Sequence, residues 1–194
     1  MTETIALSLK AVGGLTQEEF MDLCQDNPDL TMERAADGQI FIMSNTGGKT
    51  GKRNARINYF LTGWNLAHGL GETFDSSTSF RLASGAVRSP DAAWVALARW
   101  QALSEREQRQ FPPLCPDFVI ELLSESDTLR GLQAKLMDDW LGNGCRLAWL
   151  VDADAQTVYI YRPGAEVEVV QGFAGPLGGG EVLPGFSLDL TQLI

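Results

Sequence analysis

The stretch Pro116-Asp117-Phe118-Val119-Ile120-Glu121-Leu122-Leu123-Ser124 is an apolar run of strand length with a carboxylate set inside it. Phe, Val and Ile suit a pleated, half-buried surface. Pro116, with no N–H for a ladder, limits the start. Side chains alternate faces, so Asp117, Val119, Glu121 and Leu123 point one way and Phe118, Ile120 and Leu122 the other. Glu121 then sits mid-strand among residues that favour burial, where an ionised carboxylate is costly unless it is paired or binds a cation. From this strand alone two readings stay open. Glu121 is a metal ligand, or it is a glutamate that pairs with a buried Arg or Lys or faces water on an edge.

On the upstream side, Val87 to Leu97 reads as a second strand, with Ser89-Pro90-Asp91 at its start and Asp91 on the face of Ala93 and Val95. On the downstream side, Ser124 to Asp127 is a cap-rich turn. A helix runs from it to about Leu141, with Leu129, Leu132, Leu136 and Trp140 on its buried face, and Gly142-Asn143-Gly144 stops it. Lys135 borders that apolar stripe, so its ammonium either reaches inward past the core edge or stays on the surface. Leu147 to Val151, Thr157 to Tyr161 and Val167 to Val170 follow as strands, and Val182 to Leu190 is a short closing segment. Gly178-Gly179-Gly180 is a flexible turn, because no Lys-Ser/Thr follows to make it a phosphate loop.

Towards the N-terminus, residues 1–14 carry weak signals and are expected to be ordered in part at most. Thr16 with Glu19 predicts a capping box opening a helix whose apolar face is Phe20, Leu23 and Cys24. Leu30 to Arg34 and Gln39 to Ser44 predict a hairpin turning at Asp37-Gly38. A helix from about Thr50 to Leu66 presents Ile57, Phe60, Leu61 and Trp64 at helical spacing. Lys49, Lys52, Arg53 and Arg56 recur on its flank and read either as a phosphate-contacting ridge or as a solvated face. Thr73 to Leu82 reads as one strand, and residues 99–116 as polar helix or loop. The order of elements predicts an α/β (α+β) protein with a mixed sheet flanked by helices, built as a single domain over residues 1–194.

Composition sets the class. At 44% hydrophobic and 21% charged the chain is an ordinary globular sequence, with no apolar run long enough for a membrane span and no secretory-signal pattern at its start. Three cysteines, Cys24, Cys115 and Cys145, lie far apart and are odd in number, which argues against a disulfide framework and for a reducing cytoplasm. The one histidine, His68, excludes a multi-histidine zinc site and sits late in a helix before a Gly, as a helix end would. The net charge of -10 opposes long-range attraction to nucleic acid. Screening over roughly 8 Å at physiological salt still lets a local basic patch act.

Asp91 opens one strand, Glu121 sits inside a later one, and Lys135 comes from the helix directly after it. Two carboxylates on neighbouring strands suit Mg²⁺, which prefers oxygen ligands and keeps several waters. Such a metal polarises a phosphodiester and acidifies bound water, and a nearby lysine orients or deprotonates the attacking water or offsets charge on the phosphorane.

With these motifs in place, the sequence resembles the Uma-type restriction-endonuclease-like family of the PD-(D/E)XK nuclease superfamily from about Leu15 to the C-terminus. The matching stretches are Glu33-Arg34-Ala35-Ala36-Asp37-Gly38, Ser44-Asn45-Thr46-Gly47-Gly48, Arg88-Ser89-Pro90-Asp91, the Pro116–Ser124 strand, Lys135 and Trp149-Leu150-Val151-Asp152. The resemblance implies a restriction-endonuclease-like fold with Asp91 and Glu121 as metal ligands, Glu33 as the upstream acid and Lys135 as the catalytic lysine, moved from the strand to the helix. It implies a DNA endonuclease dependent on Mg²⁺, with Mn²⁺ as a substitute, and a homodimer if both strands are cut. Two departures stand out. The usual lysine position, two after the glutamate, is Leu123, and no His stands near Thr50, where the family has one. These departures and the acidic charge motivate the alternative of a weak or inactive nuclease-fold module that binds nucleic acid or a protein partner.

Overall fold

A computed structural model describes residues 4–194. Strand β1 (Ile5–Leu7) lies within the stretch expected to be ordered in part at most and pairs antiparallel with residues 40–42; the expectation for residues 1–3 lies outside the described residues. Helix α1 (Gln17–Asp26) opens on the predicted capping box, Thr16 accepting from Glu19 N–H and Glu19 accepting in return. Strands β2 (Thr31–Arg34) and β3 (Ile40–Met43) form the predicted hairpin. Its turn is closed by Gly38 N–H on Ala35 O, with Gly38 at φ 86°, a conformation that favours glycine.

Helix α2 (Gly48–His68) buries Ile57, Leu61 and Trp64 as the spacing predicts. The two long strands expected at 73–82 and 87–97 are each divided. β4 (Gly71–Asp75) and β5 (Phe80–Arg81) come from the first, β6 (Val87–Arg88) and β7 (Ala92–Ala96) from the second. The second break falls at Ser89-Pro90-Asp91, where Pro90 supplies no ladder donor and the chain leaves one sheet for another. Two short helices, α3 (Leu97–Gln101) and α4 (Glu105–Arg109), lead to β8 (Phe118–Leu122). Helix α5 (Leu129–Ala134) continues as a π-helical turn (Lys135–Trp140) and a 3-10 turn (Leu141–Asn143). Then come β9 (Leu147–Asp152), β10 (Thr157–Tyr161), β11 (Glu168–Gln171), β12 (Pro176–Gly178), β13 (Ser187–Asp189) and a 3-10 turn (Leu190–Leu193).

Among the described residues the strands form three sheets, ordered β11-β10-β9-β8-β7-β4, β1-β3-β2-β6-β5 and β12-β13. Only β8 and β9 pair in parallel in the six-stranded sheet, and the helical stretch from α5 is the crossover such a pair requires. The alternation read along β8 holds. Phe118, Ile120 and Leu122 pack with Ile57, Leu61 and Trp64 of α2 on one face. Val119 and Leu123 pack with Leu136, Trp140 and Leu150 on the other. A third cluster, Phe20, Met32, Ile40 and Val87, joins α1 to the five-stranded sheet. Among the described residues no helix is long and apolar enough to cross a membrane.

Candidate active site

The four expected site residues arrive from four elements and converge where the two large sheets meet. Glu33 comes from β2, Asp91 from the junction between β6 and β7, Glu121 from β8 and Lys135 from the π-helical turn. Lys135 Nζ lies 3.0 Å from Glu33 Oε1, 2.9 Å from Glu121 Oε1 and 3.3 Å from Ser89 O. Its three N–H donors are thus all engaged. Register explains Asp91. Ala92 pairs with Ile120, so Asp91 stands just beyond the last paired residue, beside Glu121 and Leu122 of β8. There the ladder gives way to the side chain, and Asp91 Oδ2 accepts from Leu122 N–H at 2.7 Å while Oδ1 accepts from Asn54 Nδ2 at 2.7 Å.

The surroundings shift the acidities of these groups in opposite directions. Burial is the largest influence on Glu33, yet the Lys135 and Arg88 cations and the Ser89 N–H outweigh it and keep the carboxyl below its ordinary value. Burial wins at Glu121, which is only 4% exposed. With Asp91 and Glu33 adding repulsion, its carboxyl is pushed up to about 7 despite Lys135. Burial also raises Asp91, against the Leu122 and Asn54 bonds. Burial opposes the charge on Lys135, but the carboxylates of Glu121 and Glu33 prevail and hold its proton affinity well above normal.

Three residues without an assigned role complete the network. Arg88 bridges Glu33 (3.0 Å) and Asp139 (2.7 Å), and Trp140 Nε1–H donates to Glu121 Oε1 at 2.7 Å. Arg88 lies in the quoted motif ending at Asp91, so its place was visible without its partners. Trp140 was legible as a core residue, its indole N–H as a donor was not. Four carboxyl groups (Glu33, Asp91, Glu121, Asp139) therefore meet two cations, Arg88 and Lys135. The donors of this cluster are oxygens, the kind a hard divalent cation takes. Among the described residues no group of three or more His, Cys, Asp or Glu is arranged to hold a metal. A cation here would rest on Asp91, Glu121 and water.

The charged residues elsewhere have partners of their own. The basic ridge of α2 is engaged by its own chain. Lys49 and Arg53 pair with Asp154, Arg53 also donates to Leu193 O at 2.8 Å, Lys52 to Ile194 O at 3.2 Å and Arg56 to Gln192 O. Arg53, 4% exposed, is a buried strut and not part of a solvated face. Asp117 accepts from Ala96 N–H and pairs with Arg99 at the far end of β8, so it fastens the strand's start. His68 ends α2, its Nδ1–H donating to Trp64 O and its ring stacked on Trp64.

The fold is a mixed α/β architecture of sheets flanked by helices. A family model described as "Putative restriction endonuclease" matches residues 17–191, and the chain belongs to that family, Uma2. A solved structure, a putative nuclease of the DUF820 group from Anabaena variabilis ATCC 29413, is similar in fold. Its TM-score is 0.78 at 22% identity, over 93% of this chain and 99% of that one. No curated protein matches the sequence.

Proposed function

We propose that the protein is a Mg²⁺-dependent endonuclease that hydrolyses DNA phosphodiester bonds with a metal-activated water. The observation that carries this reading is the direct contact of Lys135 with both Glu33 and Glu121, beside an Asp91 that accepts from the N–H of Leu122, the residue after Glu121. Asp91 and Glu121 would hold Mg²⁺, or Mn²⁺ in its place, which supplies Lewis acidity towards the phosphodiester and acidifies a bound water. Asn54 and the Leu122 N–H orient the Asp91 carboxylate. Lys135, with its protons engaged and its affinity for them raised, serves as a fixed positive charge beside the developing phosphorane and not as a base. Glu33 holds Lys135 in place, and Arg88 holds Glu33.

The test is nicking or linearisation of plasmid DNA in Mg²⁺. Asp91→Ala and Glu121→Ala are each expected to fall below detection while remaining folded. Mutants as active as the wild type would reject the reading. The saturation of Lys135 by protein acceptors favours a second reading, a nuclease-fold module that binds nucleic acid or a partner without cutting. Failure of the wild-type protein to bind Mn²⁺ would select that one.

A further inference from the structure

Residues Lys135 to Trp140 form a π-helical turn, and Leu141 N–H is shared between Leu136 O, five residues back, and Met137 O, four back. In an α-helix positions five apart lie about 140° from each other around the axis, so Lys135 and Trp140 would face different ways. A wider turn closed by i→i+5 bonds brings such positions closer together around the axis. Here the two side chains meet. Lys135 Nζ lies 2.9 Å and Trp140 Nε1 2.7 Å from the same oxygen, Glu121 Oε1, and Lys135 Nζ stands 6.0 Å from the Trp140 ring centre. Asp139, next in line, takes Arg88 Nε at 2.7 Å. The indole itself is wholly buried, so its N–H needs an acceptor and has this one.

We propose that this turn exists to orient Glu121: Trp140 Nε1–H and Lys135 Nζ together pin Oε1 and so present Oε2 to a divalent cation, which makes Trp140 a positioning residue for the metal ligand. The inference rests on the reading of Glu121 as that ligand. A plain α-helix would offer Lys135 alone, and the carboxylate could rotate about its last torsion. With two donors at one oxygen from one side, that rotation is stopped and the second oxygen has a defined direction. Groups that hold a ligand from behind in this way commonly contribute 10-fold to 100-fold in metal affinity.

The experiment is Mn²⁺ binding to the full chain, followed by electron paramagnetic resonance, in wild type, Trp140→Phe and a variant with β-(3-benzothienyl)alanine at position 140. That side chain has the indole's shape with sulfur in place of the N–H. Leu82→Ala, from the same buried cluster but next to β5 of the other sheet, controls for general loosening. Loss of affinity by about 10-fold or more in both position-140 variants, with Leu82→Ala close to wild type, is the expected result. Equal affinity in wild type and the benzothienyl variant would overturn the role of Trp140 while leaving the metal site standing. An equal loss in Leu82→Ala would overturn it too, by showing that loosening suffices. Absence of Mn²⁺ binding by the wild type would overturn both this inference and the nuclease reading.

Discussion

Glu121 shows how far single residues can be read. Alternation along Phe118–Leu122 put its side chain on a buried face, and that inference needed no partner. Which partners it meets was not local information, because Lys135 and Trp140 come from a different element and Glu33 from a different sheet. Its displaced acidity has a consequence. The folded-state value of about 7 exceeds the ordinary 4.5, so near pH 6 the carboxyl largely keeps its proton. A cation must displace that proton, and binding therefore strengthens as pH rises through about 7. Mn²⁺ affinity is expected to climb from about pH 6 to about pH 8 and to level off above. A flat profile would show that Glu121 is already ionised or is no ligand. The same sign applies to the metal-free protein, in which Glu121 favours folding below about pH 4.5 and loses that contribution as pH passes 7.

Elements differed in how well local signals described them. The capping box at Thr16, the hairpin at Asp37-Gly38 and the buried stripe of α2 were legible because each depends on residues a few positions apart. The apolar spacing after β8 predicts a uniform helix, whereas the structure has a π-helical turn at Lys135–Trp140. Leu129, Leu132, Leu136 and Trp140 mark a buried face whether the turn holds four residues or five. The strand β4 offers a test of packing. A Cβ at Gly71 would stand 2.2 Å from Val95 O and 2.5 Å from the Trp94 ring, so the strand has no room for even a methyl group. Gly71→Ala is expected to lower stability by about 1–3 kcal/mol in urea unfolding. An unchanged midpoint would mean that Trp94 yields without cost.

At the scale of the molecule, the site exists because two sheets meet. Glu33 belongs to the five-stranded sheet and Glu121 to the six-stranded one, and the Arg88–Asp91 segment passes between them. The basic ridge is likewise decided at long range, by Asp154 and by the carbonyls of residues 192–194 folding back onto α2. One site per chain also bears on assembly. If the protein cuts both strands of a duplex, two-fold symmetry supplies the second site, and we expect a homodimer in sedimentation under cutting conditions. A strict monomer that linearises plasmid would refute that expectation.

By itself the sequence determined which positions turn inward, since alternation in β8 and helical spacing in α2 record burial directly. It also named Glu33, Asp91, Glu121 and Lys135, through short motifs that resemble a known family. The tertiary structure alone decided what each charged group touches: Arg88 and Lys135 on Glu33, Trp140 on Glu121, and the C-terminal carbonyls on the α2 arginines. The reason is physical. A periodic pattern arises from neighbours a turn or a pleat away, whereas a buried ion pair is set by the packing of elements distant in sequence, and no local pattern encodes that distance.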